Sequence, residues 1–358
     1  MRRLLISNLL MISLIFGAEI LLGRCPVDNV TAIYSGRFFG FDNEDLLVVA
    51  DVGELELTPG PARRVQRVSL RRLALLRFSA SRFERVWLSE PLLGPGAAET
   101  GVSPSTWAFG DIDNDSKAEL IIISGDSCRI FDFGPDSVTR DLVPFAGMWP
   151  EQAVCCDITN DSVPELVTVE TSPFDTTGAA RLFRVYRLVG PVLEPWSAYI
   201  SGIAWGMGTR VLLTGVARLE DYDGELPVLV AIYPGVRPSS YAVLHEVRAD
   251  SFAFTTNPFP WQPWFSKNRV LPMGELSLFN VGDTLVAYGY FVPGSRPSGP
   301  QKSFAALQDG EWRLLRLSDQ ASKLSGPVCR FTTSETSGWL ELRDNIFHFY
   351  PGEIFHWR

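Results

Sequence analysis

DIDNDSKAELIII, residues 111–123, and DITNDSVPELVTV, residues 157–169, match at seven of thirteen positions and start 46 residues apart. In both, an acidic loop runs directly into an apolar segment. An internal repeat of this period marks a solenoid, a propeller or an array, so its other copies bear on the fold before any single motif does. Fainter copies occupy residues 32–90, 211–256, 273–318 and 326–358, beside the clear ones at 105–145 and 151–199. Each has an entering strand, a polar loop, a strongly apolar strand and a closing hairpin.

β-Branched and aromatic residues dominate these segments, with apolar and polar positions alternating and Gly, Pro, Asp and Ser at the ends, which is the pattern of short antiparallel strands. Asp309-Gly310, within AALQDGEWRLL, supplies the positive φ angles of a tight hairpin turn. Four antiparallel strands repeated around an axis form a propeller, whose radial closure protects sheet edges that would otherwise be exposed. The expected fold is therefore all-β, a single β-propeller of six four-stranded antiparallel blades, with spacing irregular enough to admit a seventh. The segment NPFPWQPWF, residues 257–265, reads as a connection between the fourth and fifth units.

The chain of 358 residues is 46% hydrophobic and 20% charged, which describes a globular protein with a large core. Its net charge of −9 provides no basic excess to neutralise phosphates, so a general nucleic-acid binder is excluded. Five cysteines, Cys25, Cys128, Cys155, Cys156 and Cys329, form neither a disulfide framework nor a zinc pattern. Adjacent Cys155 and Cys156 point to opposite faces of a strand, and at least one is expected to be buried.

At the amino terminus, Arg2 and Arg3 precede an apolar stretch from Leu9 to Ala18. This is the layout of a secretory leader. Residues 1–24 are read as a signal peptide or, if uncleaved, a membrane anchor, and residues 25–358 as the propeller. An extracytoplasmic location follows, with membrane contact only through the leader.

Residues 109–120, FGDIDNDSKAEL, resemble the FG-GAP or VCBS-type β-propeller repeats, the family that includes integrin alpha-chain head domains. The shared features are the pair Phe109-Gly110, the acidic loop, and the acidic-Leu step into the next strand; DITNDSVPEL is a second copy without the Phe-Gly. The resemblance implies a propeller, calcium in the loops between the first two strands of a blade, and an extracellular binding or adhesion role. The family prefers Gly where Ser116 stands and Asp where Glu119 stands.

Independently of any family, Asp111, Asp113, Asp115 and Glu119 occupy positions 1, 3, 5 and 9 of a tight loop, with the carbonyl of Lys117 at position 7. Alternate oxygens can wrap a hard cation, and six to eight oxygen donors suit calcium better than the stricter octahedron of magnesium. The competing reading is a solvated turn, which Asp, Asn and Ser favour without metal. A weaker second site comprises Asp157, Asp161 and Glu165, with Thr159 replacing the middle aspartate. One or two calcium ions are expected, in a stabilising role.

No HExxH, GxSxG or P-loop pattern occurs. His245, His348 and His356 fall in strands, and His348 and His356, each between large apolar residues, read as packed. The arginines at 63, 64, 67, 71 and 72 read as a solvated run. Trp107, Trp312 and Trp339 read as packing between blades, and so, less firmly, do Trp261 and Trp264. The leading function is a non-enzymatic, exported module that binds protein or glycan on one face. The alternatives are a glycan-active hydrolase or lyase with carboxylates at the central face, and a protein-interaction scaffold.

Overall fold

The computed structural model describes residues 19–356 apart from several connections, the longest being 172–180, 201–209, 233–239, 253–269 and 294–300; between residues 197 and 276 it describes only the backbone of the strands. Residues 1–18, Arg63, Arg64, Asp309-Gly310, Trp261, Trp264, His245 and the side chains of Trp312 and His356 lie outside the described residues. The chain is all-β, with no α-helix among the described residues. Consequently no helix among them is long and apolar enough to cross a membrane.

Two compact units are present, the first made of residues 1–52, 71–91 and 315–358 and the second of residues 53–70 and 92–314. In the second unit, four-stranded antiparallel sheets cover the second, third and fifth repeats. Their strands are Ser105–Gly110, Glu119–Ser124, Ser127–Phe133 and Val138–Pro144; Trp149–Cys156, Glu165–Thr171, Arg181–Val189 and Val192–Ile200; and Val270–Val281, Thr284–Pro293, Gln301–Gln308 and Glu311–Leu314. The fourth repeat forms a three-stranded sheet of Arg210–Leu219, Tyr222–Ile232 and Ser240–Leu244.

The sheets of the second and third repeats pack through one apolar cluster. Ala108, Ile121, Ile123, Cys128 and Ile130 from one meet Cys155, Leu166, Tyr186 and Leu193 from the other. Cys156 faces the opposite side with Val167 and Val185. Both neighbours are therefore buried, one on each face, as strand alternation requires. Gly110 has a steric reason: a Cβ there would lie 2.5 Å from the Cβ of Cys155. The glycine of the Phe-Gly pair lets two consecutive sheets approach.

Val30–Gly36, Asp45–Leu57, Gln66–Ser79 and Arg82–Leu88 form the sheet of the first repeat, whose residues fall in the first unit except for 53–57 and 66–70. The last repeat departs from the sequence reading. Val328–Thr332, Ser337–Arg343 and Ile346–Pro351 supply three strands, but the fourth is Ile20–Arg24, paired antiparallel to Ile346–Pro351. Phe355–His356, expected to close this sheet, pairs instead with Arg316–Leu317.

The boundary drawn at residue 24 thus falls at the end of a paired strand. Cys25 N–H continues the pairing by donating to Asn345 O at 2.9 Å, and Glu19 forms an ion pair with Arg343 at 3.0 Å and contacts His348. Asp344 and Asn345, with φ of 52° and 62°, make the two-residue turn between Ser337–Arg343 and Ile346–Pro351. Rings of Phe78 and Phe83 from the first repeat pack on Phe331 and Phe347 from the last at 4.5–5.4 Å. Trp339 is fully buried and His348 is 8% exposed. Both side chains are packed, as the sequence implies.

All five cysteines are free and buried. Burial pushes the Cys25 thiol up to about 11 and Cys128 up to about 12. Arg67, in the arginine run, is exposed and pairs with Glu54 and Glu56, while Arg71 lies 3.8 Å from Asp51.

Candidate metal centre

Each of the first three repeats begins its second strand with a buried acid: Asp45, Glu119 and Glu165. Each carboxylate accepts a hydrogen bond from a backbone N–H in the loop before it. The donors are Phe39 at 3.3 Å, Ile112 at 3.0 Å and Ile158 at 3.1 Å. This bond ties the loop to the head of the strand, and it places an acid where burial opposes its charge.

The loop of residues 111–119 brings the three aspartates of the sequence reading together. Carboxylate oxygens of Asp111, Asp113 and Asp115 lie within 4.8 Å of one another. Asp111 accepts from the N–H groups of Asp115 and Ser116, both at 2.9 Å, Asp113 from Asp115 at 3.2 Å, and Asp115 from Lys117 at 2.8 Å. Asn114 and Ser116 adopt φ of 64° and 72°, the left-handed region, which accounts for glycine being preferred where Ser116 stands.

The loop of residues 157–165 has the same backbone. Asp157 accepts from Asp161 at 3.1 Å and Ser162 at 2.9 Å, Asp161 accepts from Val163 at 3.0 Å, and Asn160 and Ser162 have φ of 58° and 69°.

The two loops differ in charge. Glu119 is 2% exposed, and while its Oε2 accepts from Ile112, its Oε1 is buried with no hydrogen-bond partner among the described residues. Burial first, then the neighbouring Asp113, push Glu119 up to about 8. Asp113 is likewise raised, by burial and by Asp115, Asp111 and Asp132. Among the described residues the cation paired with this loop is Lys117, whose ammonium bridges Asp115 at 2.6 Å and Asp132 at 3.1 Å and holds Asp115 below the usual range. Reading the sequence assigned Lys117 only its carbonyl and missed this ammonium.

In the third repeat the corresponding carboxylate is satisfied. Glu165 Oε1 accepts from Thr159 Oγ1 and Arg187 Nε, both at 3.0 Å, and the same guanidinium lies 3.8 Å from Asp161. Arg187 also stacks over the Trp196 ring at 4.3 Å. In the first repeat Arg77 is close enough to Asp45 to favour its charged form, although burial still pushes that acid up to about 6.

That shift has a testable sign. A carboxyl whose folded pKa is raised stabilises the fold fully below its unfolded pKa, near 4, and loses that contribution as pH rises through 6. The loss is about 3 kcal/mol between those limits. Melting of wild type and Asp45→Asn across pH 4 to 7.5 should show wild type falling relative to the variant, whose neutral amide still accepts from Phe39. Parallel curves would contradict it.

Asp132 and Arg187 were missed in the sequence because they belong to the third strand of each sheet, 13 and 22 residues beyond the loops that end at Glu119 and Glu165. Only the strand register shows that they face it.

No protein-family model matches the chain, and no curated protein matches it by sequence. Among solved structures, it is similar to the exotype rhamnogalacturonan lyase YesX at 10% identity and a TM-score of 0.42, over 93% of this chain and 75% of that one. A likeness of that degree carries no argument about function.

Proposed function

We propose that the chain is an exported, calcium-stabilised β-propeller that binds a protein or glycan ligand on one face and performs no chemistry on it. The observation that carries the calcium reading is Glu119 Oε1, an orphaned carboxylate oxygen buried in a loop that already gathers Asp111, Asp113 and Asp115. Four carboxylates with Asp132 beside them face one ammonium. A hard divalent cation would supply the missing charge and the missing partner for Oε1. Further ligation would come from the aspartates and the Lys117 carbonyl.

The propeller reading is supported by the repeat of antiparallel sheets and by Ile20–Arg24, which joins the amino-terminal end of the described chain to the sheet of its last repeat. The non-catalytic reading is supported by how two other buried acids are used. Glu170 is engaged by Thr168 and Tyr186, and Glu341 by Tyr350 and two backbone N–H groups, all as packing elements.

The test is a calcium titration after chelation, read by melting temperature. Wild type should rise by roughly 5–10 °C at a hundredfold excess over Kd, because a ligand that binds only the folded state stabilises it. Asp113→Ala should abolish the rise; no rise in wild type would end the calcium reading. The binding role predicts saturable, calcium-dependent retention on surface proteins or glycans without turnover, and release of cleaved glycan would overturn it.

A further inference from the structure

The second and third repeats share a loop backbone but differ at one place on the neighbouring strand. Leu120 pairs with Phe131, and Leu166 with Tyr186. Continuing each register by one residue sets Asp132 opposite Glu119 and Arg187 opposite Glu165. From this juxtaposition we propose that the residue across the ladder from the buried acid decides whether a loop takes a metal ion: Arg187 is the built-in cation of the third repeat, and Asp132 makes the second repeat depend on one from solution. The proposal rests on the calcium reading above and deepens it, since it assigns a single ion to the chain and leaves Asp157, Asp161 and Glu165 without one.

Three observations carry it. Glu165 has a hydrogen-bond donor on each oxygen, Ile158 on Oε2 and Thr159 and Arg187 on Oε1, so neither is orphaned as Glu119 Oε1 is. Arg187 is fixed rather than mobile in its role, because Trp196 stacks on its guanidinium at 4.3 Å while that group touches both Glu165 and Asp161. A guanidinium presents several donors in one plane and stays charged at every relevant pH, which suits it to replace a resident ion.

In the second repeat the equivalent position adds a fifth acid. Asp132 draws the Lys117 ammonium to itself and Asp115. Glu119 Oε1, meanwhile, has no donor. The cationic donor that Arg187 supplies to Glu165 thus has no counterpart at Glu119 Oε1, since Lys117 is held by Asp115 and Asp132, and a second cation would come from outside. When calcium binds, Lys117 can keep Asp132 and release Asp115 as a ligand.

The experiment exchanges the two positions in the full chain and reads bound calcium by equilibrium dialysis, with melting temperature in chelator and in calcium. Wild type should bind one ion and Asp132→Arg none, while the variant melts several degrees above wild type in chelator. The double variant Thr159→Asp with Arg187→Asp should bind two ions. Arg187→Gln, a milder change, should lower the melting temperature in chelator if the double variant does not fold.

Asp132→Arg that still binds an ion with wild-type affinity, or a second ion bound by wild type, would overturn the proposal. If wild type binds no calcium, the earlier reading falls and the ladder rule is decided in chelator alone. There Asp132→Arg must raise and Arg187→Gln must lower the melting temperature, and failure of either overturns it.

Discussion

Protein that begins at Cys25 is expected to be less stable than protein that begins at Glu19 by about 3–5 kcal/mol. The six residues between them form the outer strand of the last sheet, paired to Phe349, His348 and Ile346. Removing them strips ladder hydrogen bonds from Ile346–Pro351, exposes the surface that covers Leu22, and takes Glu19 from Arg343 and His348. It also bares a strand edge, the usual template for pairing with another chain. Denaturant unfolding of the two forms measures the difference, and light scattering should show the shorter form associating. Equal stability would mean that Ile20–Arg24 adds nothing to the fold. If a leader is removed on export, this argument sets its end at or before Ala18, and Glu19 remains with the folded protein.

Glu341→Ala should cost a similar 3–5 kcal/mol, as expected when one member of a buried charged network is deleted. Glu341 is fully buried. Its Oε1 accepts from Ser325 N–H at 2.7 Å and Gly326 N–H at 3.0 Å, while its Oε2 accepts from Tyr350 Oη at 3.1 Å and lies 3.4 Å from Arg343. Alanine removes the acceptor for all four groups together. The Gly326 backbone lies close against the same strand, where a Cβ would fall only 1.8 Å from the carbonyl oxygen of Leu342. Glu341→Gln, which keeps the shape and one good acceptor, should cost markedly less in the same unfolding experiment; an alanine variant as stable as wild type would show that water replaces the carboxylate.

Much of this architecture was legible because it is local. Alternation within ELIII and ELVTV marks strands that bury one or both faces, and the acidic loop before each is read from contiguous residues. The aspartate trio came together as its spacing implied. What escaped was long-range. Nothing in ILLGR announces a strand, because it continues the apolar stretch before it, and its partner lies more than three hundred residues away. Arg187 could not be linked to Glu165 before the register of two strands was known, so the third loop looked like a poorer copy of the second. Glu119 was identified as a ligand, but its burial and its orphaned oxygen depend on how the neighbouring strands cover it.

The burial of every cysteine has a chemical consequence. With Cys25 pushed up to about 11, roughly one molecule in ten thousand carries its thiolate at neutral pH, and the remainder are shielded from reagents. The folded protein is therefore almost inert to oxidants, whichever compartment holds it. Its vulnerable interval is synthesis, when five unprotected thiols are exposed before the sheets close over them. Adjacent Cys155 and Cys156 are safe from pairing with each other only once the strand directs them to opposite faces. Folding here competes with oxidation of the thiols.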